Sequence, residues 1–289
     1  MLLALAFVSA GWLACWPAVS GEILEQTVWV PVEVTPPGGN TVHRDVALTI
    51  VREKTDDRRP FLLLHHGRGT TPESRSAMGL QTYPANSRYF ASLGFVVLIP
   101  TRVGYGITGG PDVEYTGRCR SKRYAEGVAA TVAQTRQILR YAEALSYVDP
   151  DAGIVVGDSY GGLAAIAIAA TDIRGVLATV NISGGDGGDS RRRVDEPCRP
   201  DLLRDAFADY GRDNKIPTLW MYSANDRVWG KVYPGQWHEA FVRAGGEGEF
   251  VSLPADKNNG HHIFNQNPPA WHPAFEAFVR QLGLAVEAD

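Results

Sequence analysis

Six short, mostly unbroken apolar runs set the strongest limit on how this chain can fold. They are Phe61–Leu64, Phe95–Ile99, Ile154–Val156, Gly175–Val180, Pro217–Tyr222 and Phe250–Leu253. A strand with one wet face alternates apolar and polar residues, so an unbroken run means burial on both faces. Helical stretches lie between the runs. Arg123–Tyr147 spaces Ala129, Val132, Ile138, Leu139 and Leu145 for one face. Gly161–Ala170 is small and apolar all round, which suits a central buried helix, and Gln236–Ala244 and Pro273–Leu282 complete the set. This alternation predicts one doubly wound α/β domain over 21–289, a mostly parallel central sheet with helices on both faces. Ahead of it, Val28–Val34 and Val46–Val51 do alternate, and Pro36-Pro37-Gly38-Gly39 between them reads as a turn, so they predict an antiparallel pair. Gly184–Lys215 breaks the rhythm. Rich in Gly, Asp and Arg, it predicts a polar excursion or small lid after the sixth strand, with a helix near Leu202–Tyr210. Arg191-Arg192-Arg193 within it reads as a solvated face.

The start of the chain bears on compartment. Leu2 to Trp16 is an apolar run without charge, followed by the small residues Ala18-Val19-Ser20. It is shorter than the roughly 20 apolar residues a membrane span needs, and it reads as a signal peptide over 1–20, although no Lys or Arg precedes it. Secretion or a periplasmic location is expected, with no stable membrane span. Lipidation at Cys15 is the alternative, for which Trp12-Leu13-Ala14 is a poor lead-in. Cleavage after Ser20 removes Cys15 from the three cysteines and leaves Cys119 and Cys198. In an oxidising compartment that even pair suggests one disulfide, two separate thiols being the alternative. The net charge of −4, from 28 Lys and Arg against 32 Asp and Glu, gives no electrostatic reason to bind nucleic acid or anionic lipid.

The sharpest local signal is Gly157-Asp158-Ser159-Tyr160-Gly161, between the run Ile154–Val156 and the small-residue helix. Strand, G-x-S-x-G and helix in that order lift a serine hydroxyl above a sheet and aim the next backbone N–H, here of Tyr160, at a developing oxyanion. Serine needs a base and a group to orient it. Asp226 lies just past the run ending at Tyr222, and His261 follows Phe250–Leu253, giving the chain order serine, acid, histidine. Asp186 and Asp189 are alternatives for the acid and His262 for the base, whereas His238 sits on an expected helix as a surface or packing residue. Phe61–Leu64 leads into His65-His66-Gly67-Arg68-Gly69, where the backbone N–H of Arg68 can supply a second oxyanion donor. The His65-His66 and His261-His262 pairs lack a carboxylate or cysteine at a ligand spacing, so no metal is expected.

With these residues in place the chain resembles the α/β-hydrolase superfamily, most closely its dienelactone-hydrolase-related branch. The resemblance rests on His66-Gly67-Arg68, Pro100–Gly106, Gly157–Gly161, Tyr222–Asp226 and Gly260-His261-His262-Ile263-Phe264, and covers about Phe61 to Leu282. It implies an α/β-hydrolase fold with Ser159 as nucleophile, Asp226 as acid and His261 as base. The branch's histidine follows a glycine and precedes a phenylalanine by three residues, which favours His261 over His262. Dienelactone hydrolases themselves use a cysteine nucleophile; Ser159 in that place argues for a general serine esterase. A small-molecule ester is the expected substrate, no cofactor is needed, and Arg68, Tyr105 and Trp229 are candidates to line the pocket, a structural role being the alternative for each. Peptidase, amidase and acyltransferase chemistry use the same groups, and a non-catalytic binding protein on this fold is the remaining alternative.

Overall fold

The strand Phe61–Leu64 anticipated from sequence is the centre of β3 (Arg59–His65), and the rest of the sheet forms around it. A computed structural model describes residues 21–36 and 38–284; the expected leader over 1–20, with Cys15, lies outside them. Eight strands pair in the order β1-β2-β4-β3-β5-β6-β7-β8. β1 (Ile23–Val34) and β2 (Val42–Glu53) form the expected antiparallel pair, and β2 meets β4 (Val96–Thr101) antiparallel. All later pairings are parallel: β3 with β4 and β5 (Val148–Asp158), then β6 (Val176–Ile182), β7 (Thr218–Ser223) and β8 (Gly248–Leu253).

Alternate residues of the unbroken runs enter different cores. Leu62, Leu64, Val97, Ile99, Ile154 and Val156 pack on one face with Phe90, Trp271 and Phe275. Phe61, Leu63, Val96, Leu98 and Val155 pack on the other with Ile138 and Leu139. The first face is covered by α2 (Pro84–Ser92), α7 (Ile263–Gln266) and α8 (His272–Gln281), and a short α1 (Pro72–Ser76) precedes α2. The second is covered by α3 (Tyr124–Ala142), α4 (Tyr160–Ala169), α5 (Pro200–Asp213) and α6 (Tyr233–Arg243). Every residue of α4 is buried, as its all-round apolar sequence requires.

Two expectations are corrected. The helix expected to reach Tyr147 stops at Ala142, because β5 begins at Val148 after a tight turn in which Leu145 N–H donates to Ala142 O. Its buried stripe also runs through Thr131, Gln134 and Thr135, leaving Ala129 exposed. These polar residues are satisfied internally: Thr131 donates to Glu114, Thr135 meets His65, and Gln134 accepts from Val103 N–H. Helices α1 and α2 were not anticipated, being short and mixed in polarity.

The excursion after β6 is irregular as far as α5, whose span covers the expected helix. Cys119 and Cys198 are bridged, with Cα atoms 5.0 Å apart. The bridge ties the loop before α3 to this excursion across 79 residues of chain. Closing a loop of that length restricts the unfolded chain and is worth roughly 2–4 kcal/mol. Replacing both cysteines by serine is expected to lower the urea unfolding free energy by about that amount, measured without reductant against the unaltered protein.

Candidate active site

The serine of the motif sits where β5 turns into α4, and the surrounding backbone explains the motif's spacing. Ser159 has φ 55° and ψ −119°, a left-handed conformation that costs on the order of 1–3 kcal/mol for a residue with a side chain. The turn folds back so tightly that a Cβ at Gly157 would stand 1.9 Å from Gly161 O. A Cβ at Gly161 would stand 2.3 Å from His65 O on the neighbouring strand. Both glycines are therefore obligatory here. Ser159 N–H donates to Ile182 O at 2.9 Å, and its carbonyl accepts from Gly162, Leu163 and Gly185. The N–H of Tyr160, in the first turn of α4, has no partner within the helix.

His261 comes from the loop after β8. Its Nε2 is 3.1 Å from Ser159 Oγ and its Nδ1 3.0 Å from Asp226 Oδ2. A carboxylate only accepts, so Nδ1 carries the proton and the neutral ring presents Nε2 as acceptor to the serine hydroxyl. Asp226 is buried, and its second oxygen accepts from Val228 N–H (2.8 Å) and Trp229 N–H (3.1 Å). Burial opposes protonation of His261, but the charge and hydrogen bond of Asp226, with Asp158 adding to them, hold it above the ordinary histidine range. Asp158 itself is pushed up to about 6 by burial, with Asp226 adding and His261 opposing.

Two asparagines given no role from sequence join the acid and histidine loops. Asn259 Oδ1 accepts from both Arg227 N–H and His261 N–H. Asn225 accepts from Asp256 N–H and donates to Asp256 O and Lys257 O. Gly260 has no room for a side chain, since a Cβ would lie 2.0 Å from Ser223 Oγ. That packing accounts for the glycine ahead of His261.

The loop after β3 runs beside the serine: a Cβ on Gly67 would lie 3.3 Å from Ser159 Cβ. Its backbone is pinned from behind. Arg102, fully buried, donates to His66 O (2.8 Å) and Gly67 O (3.4 Å), and His66 Nδ1–H donates to Gly67 O at 2.7 Å. The Arg68 N–H belongs to the same trans peptide unit as Gly67 O, so it is directed away from Arg102. Arg102 pairs with the fully buried Glu114 at 2.6 Å, and Glu114 also accepts from Tyr105 and Thr131. The Arg68 side chain is held by Tyr105 Oη (2.8 Å) and, through both ends of its guanidinium, by Asp112.

Of the other residues singled out from sequence, Trp229 reaches the cleft. It stands edge-on to His261 with ring centroids 5.4 Å apart, and its indole N–H donates to Ser183 O. Tyr105 does not line the pocket: it is fully buried behind Arg68, its hydroxyl spent on Glu114. His262 is exposed at the mouth, and Asp186 is engaged by Thr116 and Lys122 rather than by a histidine. Asp189 caps its own turn, accepting from the Arg191 and Arg192 N–H groups. His238 packs on Trp220 and Phe250. His65 and His66 are held neutral by burial, with Arg102 adding to the effect. Among the described residues, no group of three or more His, Cys, Asp or Glu is placed to hold a metal ion.

No family model matches the chain, and no curated protein sequence does. Solved structures do. The candidate dienelactone hydrolase of Klebsiella pneumoniae subsp. pneumoniae superposes with TM-score 0.60 at 17% identity, over 91% of this chain and 98% of that one. An acetyl xylan esterase from Paenibacillus sp. R4 gives 0.58 at 16% identity, over 90% and 89%. The acylaminoacyl peptidase of Pyrococcus horikoshii gives 0.59 at 13%, over 90% of this chain but 42% of the peptidase. The fold is that of the α/β-hydrolases.

The buried Arg102–Glu114 pair holds the loop beside Ser159. Glu114→Gln leaves Arg102 charged and without its carboxylate, so a loss of about 3–5 kcal/mol in urea unfolding is expected. Glu126→Gln, at the exposed pair with Arg123, is expected to change stability by less than about 1 kcal/mol.

Proposed function

We propose that this α/β-hydrolase-fold protein is a serine hydrolase that cleaves a carboxylic ester through an acyl-enzyme. The observation that carries the reading is the unbroken hydrogen-bonded chain Ser159–His261–Asp226 at a strained strand-to-helix turn. Ser159 Oγ attacks the ester carbonyl as its proton passes to His261 Nε2. Asp226 fixes the ring and favours the imidazolium that results. The N–H groups of Tyr160 and Arg68 receive the negative charge on the carbonyl oxygen. His261 then protonates the leaving alkoxide, and water, deprotonated by the same nitrogen, releases the acid and regenerates Ser159. Every proton that leaves Ser159 or water reaches the leaving group or returns to Ser159, so the chain needs no cofactor for these steps. Arg102, Glu114 and His66 keep the loop carrying the Arg68 amide in place through Gly67 O.

The neighbours named as a dienelactone hydrolase and an acetyl xylan esterase agree with this reading. Signal-peptide cleavage and export fit the Cys119–Cys198 bridge, which persists in oxidising compartments.

Ser159→Ala is expected to reduce 4-nitrophenyl acetate turnover by at least about 10⁴-fold and to abolish labelling by a fluorophosphonate; retention of either overturns the assignment. Because the base must be neutral, kcat/KM should rise with pH through a midpoint above that of an ordinary histidine. Asp158→Asn removes a negative charge that favours the imidazolium, so that midpoint should move to lower pH. A profile between about pH 4 and 9 reads both effects.

A further inference from the structure

The cleft at Ser159 is large, and charged side chains share its lining with apolar ones such as Met78, Val228 and Trp229. Its volume is about 1150 Å³, above the roughly 300–1,000 Å³ of an ordinary small-ligand pocket. Six basic and four acidic side chains line it, in a chain whose net charge is −4. The acids are largely taken up by local pairs. Asp112 holds both Arg68 and Arg75, Asp186 holds Lys122, and Asp189 lies 3.8 Å from Arg192. Arg191 and Arg193, on the same wall, have no carboxylate within ion-pair distance among the described residues; Arg193 donates to Gly187 O and rests on the disulfide.

A second groove of about 450 Å³ adjoins this cleft and shares Tyr115, Gly117 and Lys122 with it. It is lined by Arg118 and Arg123 and by no acidic residue. Arg118 is exposed and has no carboxylate partner among the described residues, while Arg123 pairs with Glu126. At the junction Tyr115 stands 52% exposed, an aromatic ring open to solvent between the two grooves. The disulfide joins the two loops that carry these groups.

Free guanidinium forks match carboxylates in plane and spacing. An exposed tyrosine ring between them offers the flat surface on which the C–H face of a pyranose packs. We propose that the substrate is an ester carried on an acidic saccharide chain, whose uronate carboxylates meet Arg118 and Arg191 while Tyr115 carries a sugar ring. This rests on the ester-hydrolase reading above and adds the substrate class. The chain runs from Ser159 past Tyr115 into the second groove. The paired Lys122 and Arg68 act there mainly as structure.

The test compares acetylated oligogalacturonate with acetylated cello-oligosaccharide of the same length and degree of acetylation. The expected result is a kcat/KM ratio of at least about tenfold in favour of the acidic oligomer at low ionic strength, narrowing as salt is raised. In the Arg118→Gln/Arg191→Gln double variant, its fold checked by thermal melting, the ratio should fall by about tenfold, several-fold for each arginine. A ratio near one, or one that survives in the double variant, overturns the inference. So does a preference limited to small acidic esters (4-nitrophenyl hemisuccinate over 4-nitrophenyl butyrate) and absent from the oligomers. The two readings fail differently. Turnover of 4-nitrophenyl acetate without an acidic-saccharide preference removes this inference alone. Loss of both that turnover and fluorophosphonate labelling removes the hydrolase reading and this inference with it.

Discussion

Backbone contact at Gly157, Gly161 and His65 is the constraint on which the site depends. The end of β5, the first turn of α4 and the end of β3 approach within distances that no Cβ at either glycine could tolerate. That approach holds Ser159 in its left-handed conformation and places it beside the loop that leaves β3. The strain is local and small against what surrounds it. β3 and β5 are central in the sheet, and α4 is buried along its whole length, so the turn cannot relax without opening the core.

Charge organisation behind the serine works at a second level. Arg102 and Glu114 are both fully buried, a placement that costs free energy unless each is satisfied. Here the guanidinium is shared between Glu114 and the carbonyls of His66 and Gly67, and the carboxylate between Arg102, Tyr105 and Thr131. The arrangement gives the loop beside Ser159 one set of hydrogen bonds rather than several. The polar stripe of α3 belongs to it, which explains why that helix buries Thr131, Gln134 and Thr135 where apolar residues were expected.

The rim is built differently from the base. The base consists of strand ends and tight turns, whereas the rim consists of the loop before α3 and the stretch from Gly184 to Arg199, joined through Cys119 and Cys198. Trp229 fills the space beneath this stretch, where a Cβ at Gly185 or Gly188 would come within 3 Å of its ring. A covalent tie and a buried indole therefore hold a glycine-rich segment that has little apolar surface of its own, and they bring its arginines to the cleft.

Much of this was legible in sequence where the signal is local. Unbroken apolar runs marked the parallel strands because burial on both faces removes alternation, and the antiparallel β1–β2 pair kept it. G-x-S-x-G could be read because a tight turn dictates glycine at fixed spacing, and Gly260 before His261 reflects the same kind of contact. Asn225, Asn259, Arg102, Glu114 and Tyr105 were unreadable in their roles, since a polar residue carries no mark in the sequence of whether it is buried or which group it meets. The sequence by itself determined the succession of strands, the long helices between them, and the candidate serine, acid and histidine. Only the tertiary structure decided that Tyr105 is buried, that Asp186 serves Lys122 and Thr116 rather than His261, and which histidine of the pair meets Ser159. Those outcomes depend on where side chains converge, and convergence is set by packing the whole sheet rather than by any segment of it.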